Sequence, residues 1–198
     1  MSFERSKNQT ESSGWIEVIC GSMFSGKTEE LIRRIKRAKL AKQKIKLFKP
    51  TKDTRFKKKK IVSHDASSIK SKTVKSAQKI LKFSNDAQVI GIDEAQFFDD
   101  KIVKVCNDLA NAGKRVIVAG LDMDYKGNPF GPMPNLLAVA EYITKVHAVC
   151  TKTGKMANYS HRIINNEDLI VLGDTAKYEA LSRKEFNRLN NLSKFKKD

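Results

Sequence analysis

Apolar residues in this chain fall into short runs separated by amphipathic stretches, the pattern of strands alternating with helices. "WIEVIC" (15–20) predicts a short buried strand that leads into a glycine-bounded loop. From 28 to 42, "TEELIRRIKRAKLAK" places Leu31, Ile32, Ile35 and Ala38 at helical spacing, so one apolar stripe is expected along a helix. "KIKLFKP" (44–50) alternates like a strand, and "TKDTRFKKKKIVSHDASS" after it reads as a charged loop or hairpin. "VKSAQKILKF" (74–83) reads as a helix and "AQVIGID" (87–93) as a buried strand. "DKIVKVCNDLANAG" (100–113) is a helix with Gly113 just past its end, the usual place for a C-terminal glycine. "KRVIVAGLD" (114–122) carries the clearest strand pattern. A loop rich in Gly and Pro, "MDYKGNPFGPMP", precedes "NLLAVAEY" and a strand, "ITKVHAV" (143–149). This alternation implies a parallel sheet covered by helices on both faces.

The ends differ from this middle. Residues 1–14 are polar and Ser-rich and are expected to form a disordered leader. From Cys150 onward the α/β alternation stops. "CTKTGKMANYSHRI" and "DLIVLGD" suggest a small β-rich appendage over 150–190, "AKYEALSRKEFNRL" (176–189) suggests a helix, and 191–198 is a basic tail.

Charge sharpens the picture less than its size suggests. The 198 residues hold 39 Lys+Arg against 22 Asp+Glu, a net charge of +17. The excess sits in Lys36–Lys49, Lys57–Lys60, Lys70–Lys82 and the tail, runs with few aromatic residues on which bases could stack. A solvated Lys-rich surface is therefore expected, with no nucleic-acid partner. Cys20, Cys106 and Cys150 are far apart and form no C-x-x-C pair, which fits a reducing cytoplasm. The leader lacks an apolar core and no run approaches 18 apolar residues, so neither a signal peptide nor a membrane span is expected.

Chemistry enters at "GSMFSGKT", which matches G-x-x-x-x-G-K-[ST] after a strand and before a helix. Gly21 and Gly26 let the backbone of Ser22, Met23, Phe24 and Ser25 wrap phosphates with N–H groups. Lys27 reaches the β/γ-phosphates, and the Thr28 hydroxyl ligates Mg²⁺. ATP binding on a P-loop NTPase (RecA-like) sheet is the implied reading, with the α/β domain spanning 15–149. Asp93 ends a later strand, where a carboxylate can face the metal, and Glu94 beside it needs a separate role. Asp53 and Arg55, in "KDTR", are candidates for metal or acceptor binding and for phosphate neutralisation, or for a surface ion pair. "DEAQ" (93–96) also occurs in helicases, but those need two RecA-like domains, and this chain shows one P-loop and no second α/β unit.

Taken in order, "GSMFSGKT", "KDTR", "SHD", "IDEAQFF", "NAGKRVIVAGLD", "PFG" and the C-terminal Tyr segment resemble the type II thymidine kinases across roughly 15–186. That family includes the human cytosolic enzyme and most bacterial thymidine kinases, and the chain resembles a bacterial member. The resemblance implies a thymidine kinase that moves the γ-phosphate of ATP to the 5′-hydroxyl of thymidine, giving dTMP and ADP for DNA synthesis. It further implies Mg²⁺, a cytoplasmic homotetramer and feedback inhibition by dTTP. Glu94 matches the catalytic base, Asp93 the metal-linked acid, and Gln96 a position of the ATP site. Asp53 and Arg55 match the loop that contacts metal and phosphates near the acceptor. Met23, Phe97, Leu121, Tyr125 and Phe130 match positions lining the base pocket; relatives can have Phe where this chain has Tyr125. Ser160 stands where many relatives have Thr and is expected to offer a hydroxyl to the thymine. Leu169, Val171, Gly173 and Tyr178 match a lasso that closes over the base largely through backbone hydrogen bonds.

One departure is plain. Many relatives hold this zinc-ribbon-like lasso domain with a structural zinc on two C-x-x-C-like pairs. Here those positions read Cys150, Thr153, Ser182 and Glu185. One thiol with two hydroxyls and a carboxylate is a poor tetrahedral zinc set, so no structural zinc is expected.

Overall fold

The computed structural model describes residues 13–51, 60–62, 68–164, 166, 168–169, 171 and 175–195. Its centre is a six-stranded parallel sheet built from β1 (Trp15–Cys20), β2 (Ile45–Pro50), β5 (Lys72–Val74), β6 (Val89–Ile92), β7 (Arg115–Gly120) and β8 (Tyr142–Lys145). The strand order is β5-β2-β6-β7-β1-β8. Both faces are buried, as parallel strands require. Alternation assigns the side chains: Val18, Phe48, Ile90, Ile92, Val116 and Val118 pack on one face, and Ile19, Leu47, Val89, Ile117 and Ala119 on the other.

Helix α1 (Lys27–Leu40) covers the second face with Leu31, Ile32, Ile35 and Ala38, the four residues of the expected stripe. Burial of such a Leu or Ile side chain contributes about 1.5–3 kcal/mol, which fixes the helix that carries Lys27 and Thr28. Gly91 lets α1 sit close, since a Cβ there would lie 2.2 Å from the Leu47 side chain and 3.2 Å from Ile35. Helices α2 (Gln78–Phe83), α3 (Lys101–Asn111) and α4 (Met133–Val139) supply Ile80, Ile102, Val105, Leu109, Met133 and Leu136 to the first face. At the amino-terminal end of β1, the buried Glu17 carboxylate accepts from Arg34, Arg115 and Trp15 at 2.6–2.7 Å, tying β1, α1 and β7 together.

Three elements depart from the expectation. The segment 74–83 is not one helix: Lys72–Val74 extends as β5 along β2, and α2 begins at Gln78. The strand expected over 143–149 divides where β1 ends, the Val146 N–H making its bond to Cys20 O. Its second part becomes β9 (Ala148–Val149), antiparallel to β10 (Met156–Ala157). The helix expected over 176–189 begins late. Tyr178–Leu181 forms β12 against β11 (Tyr159–Arg162), with Tyr178 and Ala180 buried on either side of Glu179, and α5 covers Arg183–Phe195. A further antiparallel pair, β3 (Lys60–Val62) and β4 (Ser68–Lys70), realises the expected hairpin in part. The C-terminal β elements have their own small core of Ala148, Cys150, Ala157, Tyr159, Ala180, Leu181 and Phe186, with Tyr159 stacked on Phe186 at 4.4 Å.

Candidate active site

The carboxyl ends of the adjacent strands β1, β6 and β7 converge, and each opens into a segment of the site, the usual place for ligands in open α/β sheets. After β1 the loop Gly21–Gly26 turns into α1. Gly26 at φ 83° adopts the left-handed backbone, and Phe24 does so at φ 62°. The Phe24 ring is anchored against the small C-terminal core, so the loop is braced from that side. Lys27 Nζ donates to Ser22 O at 2.5 Å, and Ser25 Oγ donates to the same carbonyl at 2.7 Å, drawing the loop closed over its own lysine. The first-turn N–H groups of α1 lack intrahelical partners by construction and bring the positive end of the helix to this loop.

Asp93 follows β6 and is buried. Its carboxylate lies 3.4–3.5 Å from the Thr28 hydroxyl and accepts the Glu94 N–H at 3.0 Å. Glu94 sits at φ 54°, ψ 43°, a left-handed conformation that costs a non-glycine residue about 1–3 kcal/mol. The backbone is held there by the Asp93 bond on one side and by the 3₁₀ turn Ala95–Phe97 on the other, where Phe97 N–H reaches Glu94 O at 3.1 Å. The Glu94 side chain is held too. Gln96 Nε2 donates to Glu94 Oε2 at 2.5 Å, and Gln96 Oε1 accepts the Leu121 N–H at 3.0 Å. The buried Gln96 amide thus fastens the Glu94 carboxylate to the end of β7.

Two cavities meet at this carboxylate. One, of about 400 Å³ with its mouth, is lined by Met23–Glu29, Glu94 and Leu121. The other, about 430 Å³ with its mouth, is lined by Met23, Glu94, Leu121, the aromatic residues Phe97, Tyr125, Phe130 and Tyr178, and by Ser160, Leu169 and Val171. Phe97 and Phe130 pack edge to face at 5.9 Å, a rigid apolar wall. Ser160 Oγ accepts the Met23 N–H at 2.9 Å, so the β11 strand is pinned to the phosphate loop, and its own O–H remains to donate.

The structure therefore brings together Gly21–Thr28, Asp93, Glu94, Phe97, Leu121, Tyr125, Phe130, Ser160, Leu169, Val171 and Tyr178. Gln96 lines neither cavity and acts on Glu94 from behind. Asp53, Arg55 and Gly173 lie outside the described residues. Three further residues of the second cavity, Met123, Asp124 and Arg162, are absent from the sequence reading. Asp124 had a signal: its Oδ1 accepts the N–H groups of Lys126 and Asn128 at 2.8 and 2.9 Å, the side-chain turn that "DYKGN" encodes.

Of the positions that the resemblance gives to zinc, Thr153 and Ser182 come together with Cys150, while the Glu185 carboxylate accepts from Arg188. Burial alone would raise the Cys150 thiol, but hydrogen bonds from the Thr153 and Ser182 side chains and from the Ser182 and Lys152 backbone bring it down to about 7. Two hydroxyls thus surround the one sulfur that remains, and Ser182 Oγ also accepts the Glu185 N–H at 3.5 Å. Among the described residues no group of three or more His, Cys, Asp or Glu side chains is placed to hold a metal. Burial pushes the Cys20 thiol up to about 11, assisted by the charge of Asp122, so the cysteine before the phosphate loop is an inert core residue.

The profile of the family described as "Thymidine kinase" matches residues 14–186. The chain belongs to the thymidine kinase family. It is 57% identical over 180 residues to the thymidine kinase of Bacteroides thetaiotaomicron, covering 91% of this chain and 90% of that one. Against the thymidine kinase of Rhodothermus sp. (strain ITI 518) identity is 55% over 175 residues, 88% and 82% of the two chains. Against that of Porphyromonas gingivalis it is 50% over 185 residues, 92% and 91%. Among the described residues no helix is long and apolar enough to cross a membrane.

Proposed function

We propose that the protein transfers the γ-phosphoryl group of ATP to the 5′-hydroxyl of thymidine, with Glu94 as the base at the junction of two cavities. The observation that carries this reading is the shared wall. Met23, Glu94 and Leu121 line both the phosphate cavity and the aromatic cavity, so a hydroxyl reaching from one ligand meets the phosphoryl group of the other at Glu94.

Each residue then has a task. The Gly21–Thr28 backbone and the α1 terminus bind the triphosphate, and Lys27 swings from Ser22 O to balance charge on the transferred group. Thr28 and Asp93 offer a hydroxyl and a carboxylate side by side, hard oxygen donors that suit Mg²⁺, which supplies charge neutralisation at the phosphates. Phe97 and Phe130 hold the base between apolar surfaces, and the Ser160 O–H donates toward its polar edge. Glu94, oriented by Gln96, accepts the 5′-hydroxyl hydrogen bond and takes the proton as the new P–O bond forms and the bond from the γ-phosphorus to the bridging oxygen breaks, releasing ADP. Beyond the shared Met23, Glu94 and Leu121 the two cavities are lined by different residues, so each substrate's KM is expected to respond to its own part of the wall. The cytoplasm, a homotetramer and inhibition by dTTP are supported by the family resemblance and belong to the same reading. The lasso is proposed to be held without zinc, by the hydroxyl cluster around Cys150.

The test is phosphate transfer from labelled ATP to thymidine, with and without added DNA or RNA. Nucleic-acid-independent formation of dTMP is expected. Untouched thymidine together with ATP hydrolysis raised by nucleic acid would refute the reading.

A further inference from the structure

We infer that Arg162 is a positioning residue for the nucleoside: its single guanidinium sets the loop that forms one wall of the aromatic cavity. The inference rests on the placement of thymidine in that cavity.

Arg162 ends β11 and is buried. Long arginine side chains are rarely buried without a purpose for the charge, and among the described residues no carboxylate is bonded to Arg162. Instead it donates to backbone carbonyls. Nη1 reaches Asn166 O at 2.9 Å and Asp168 O at 2.5 Å, and Nη2 reaches Leu169 O at 3.2 Å. Nε and Nη2 also donate to the Tyr178 hydroxyl at 3.1 and 2.8 Å, and that hydroxyl donates onward to Val171 O at 2.8 Å. Four carbonyls between 166 and 171 are thus held by one fork, three directly and one through Tyr178. Leu169 and Val171 are the members of this set that line the cavity.

The same guanidinium lies 3.5 Å above the Tyr125 ring, another wall of the cavity, contributed by the segment after β7. Arg162 therefore joins the loop to the main domain. Asn166, Leu169 and Val171 lie in no helix or strand, and Leu169 is 52% exposed, so packing alone places them weakly. The register of β11 with β12, in which Arg162 faces Tyr178, brings the two ends of the clamp together. A planar five-donor fork can serve such divergent acceptors at once. An ammonium cannot, because its three donors radiate from one point.

Arg162→Met, Arg162→Lys and Tyr178→Phe test this, each measured for kcat and for the KM of thymidine and of ATP, with melting temperature as a folding control. Loss of charge-assisted bonds to the loop should raise the thymidine KM about tenfold or more in Arg162→Met. The ATP KM and the kcat at saturating thymidine should stay within about threefold. Arg162→Lys should fail to restore the thymidine KM. Tyr178→Phe keeps the ring and the three direct bonds while cutting the link to Val171, so a smaller rise of about threefold is expected; it decides the matter if the Arg162 variants do not fold. A thymidine KM within about twofold of the parent, an equal rise in the ATP KM, or full rescue by Lys overturns the inference. Phe130→Ala serves as the control for the cavity itself. If it raises the thymidine KM while Arg162→Met does not, the positioning role alone fails; if neither moves it, the placement of thymidine fails as well.

Discussion

Gln96→Met keeps the length of the side chain and removes both of its polar ends. In the structure those ends make two bonds: Nε2 to Glu94 Oε2 at 2.5 Å, and Oε1 from Leu121 N–H at 3.0 Å. Gln96 is only 3% exposed, so a stranded Leu121 N–H at this depth costs about 1–3 kcal/mol. The bond to Glu94 is worth less than a fully buried one, because Glu94 is only partly buried and water can replace the donor; about 1 kcal/mol is appropriate. The sum, roughly 2–4 kcal/mol, corresponds to a fall in Tm of about 4–16 °C for a chain of this size. The effect on turnover is separate. A carboxylate released by about 1 Å from its reacting position costs on the order of 10²-fold in rate, so kcat should fall about 10–100-fold while the ATP KM changes little. Gln96→Glu gives a distinct signature. It keeps an acceptor for Leu121 but sets a second carboxylate against Glu94, and the pair then shares a proton. Activity should be low at neutral pH and recover as pH rises and the pair ionises. Differential scanning calorimetry and kcat–pH profiles read both effects. A Gln96→Met enzyme with parental kcat, or a Gln96→Glu enzyme with a parental pH profile, would refute the claim that Gln96 orients Glu94.

Other expectations follow from single contacts. Ser160→Ala removes the acceptor for Met23 N–H and the proposed donor to the base, so the thymidine KM should rise about tenfold, and Ser160→Thr should retain near-parental values. Glu30 is held at about 2 by hydrogen bonds from Arg33, with burial opposing and Arg34 adding to the effect. Its folded value is depressed, so its stabilisation is complete above pH 4.5 and is lost as pH falls through about 2; Glu30→Gln should flatten that part of the acid-unfolding curve. Protein purified without chelator should carry far less than one zinc per chain by elemental analysis, and chelator should leave its Tm unchanged. Stoichiometric zinc would contradict the hydroxyl cluster around Cys150.

Sequence disclosed those parts that are local. The phosphate loop was legible because glycines, lysine and hydroxyl fall at fixed spacing between a strand and a helix, and α1 was legible because its four apolar positions repeat at helical period. Asp93 and Glu94 could be given separate roles once the loop was placed. β5 could not be read, since "KTV" buries only Val74 and its pairing comes from β2, 24 residues earlier in the chain. Tyr178–Leu181 looked helical because Ala, Leu and Glu favour helices, but pairing with β11 outweighs that propensity. Arg162 gave no signal, being one basic residue among many, and its partners are carbonyls that any sequence supplies. The resemblance gives Gln96 a place at the ATP site; its bonds to Glu94 and Leu121 depend on the fold and are not legible in the sequence.

The most direct test is Glu94→Gln, an isosteric change that keeps the cavity junction and removes the proton acceptor. Measured with labelled ATP and thymidine, dTMP formation should fall about 10²–10⁴-fold while ATP binding persists. Near-parental transfer by that variant would contradict the central claim and move the base to another residue.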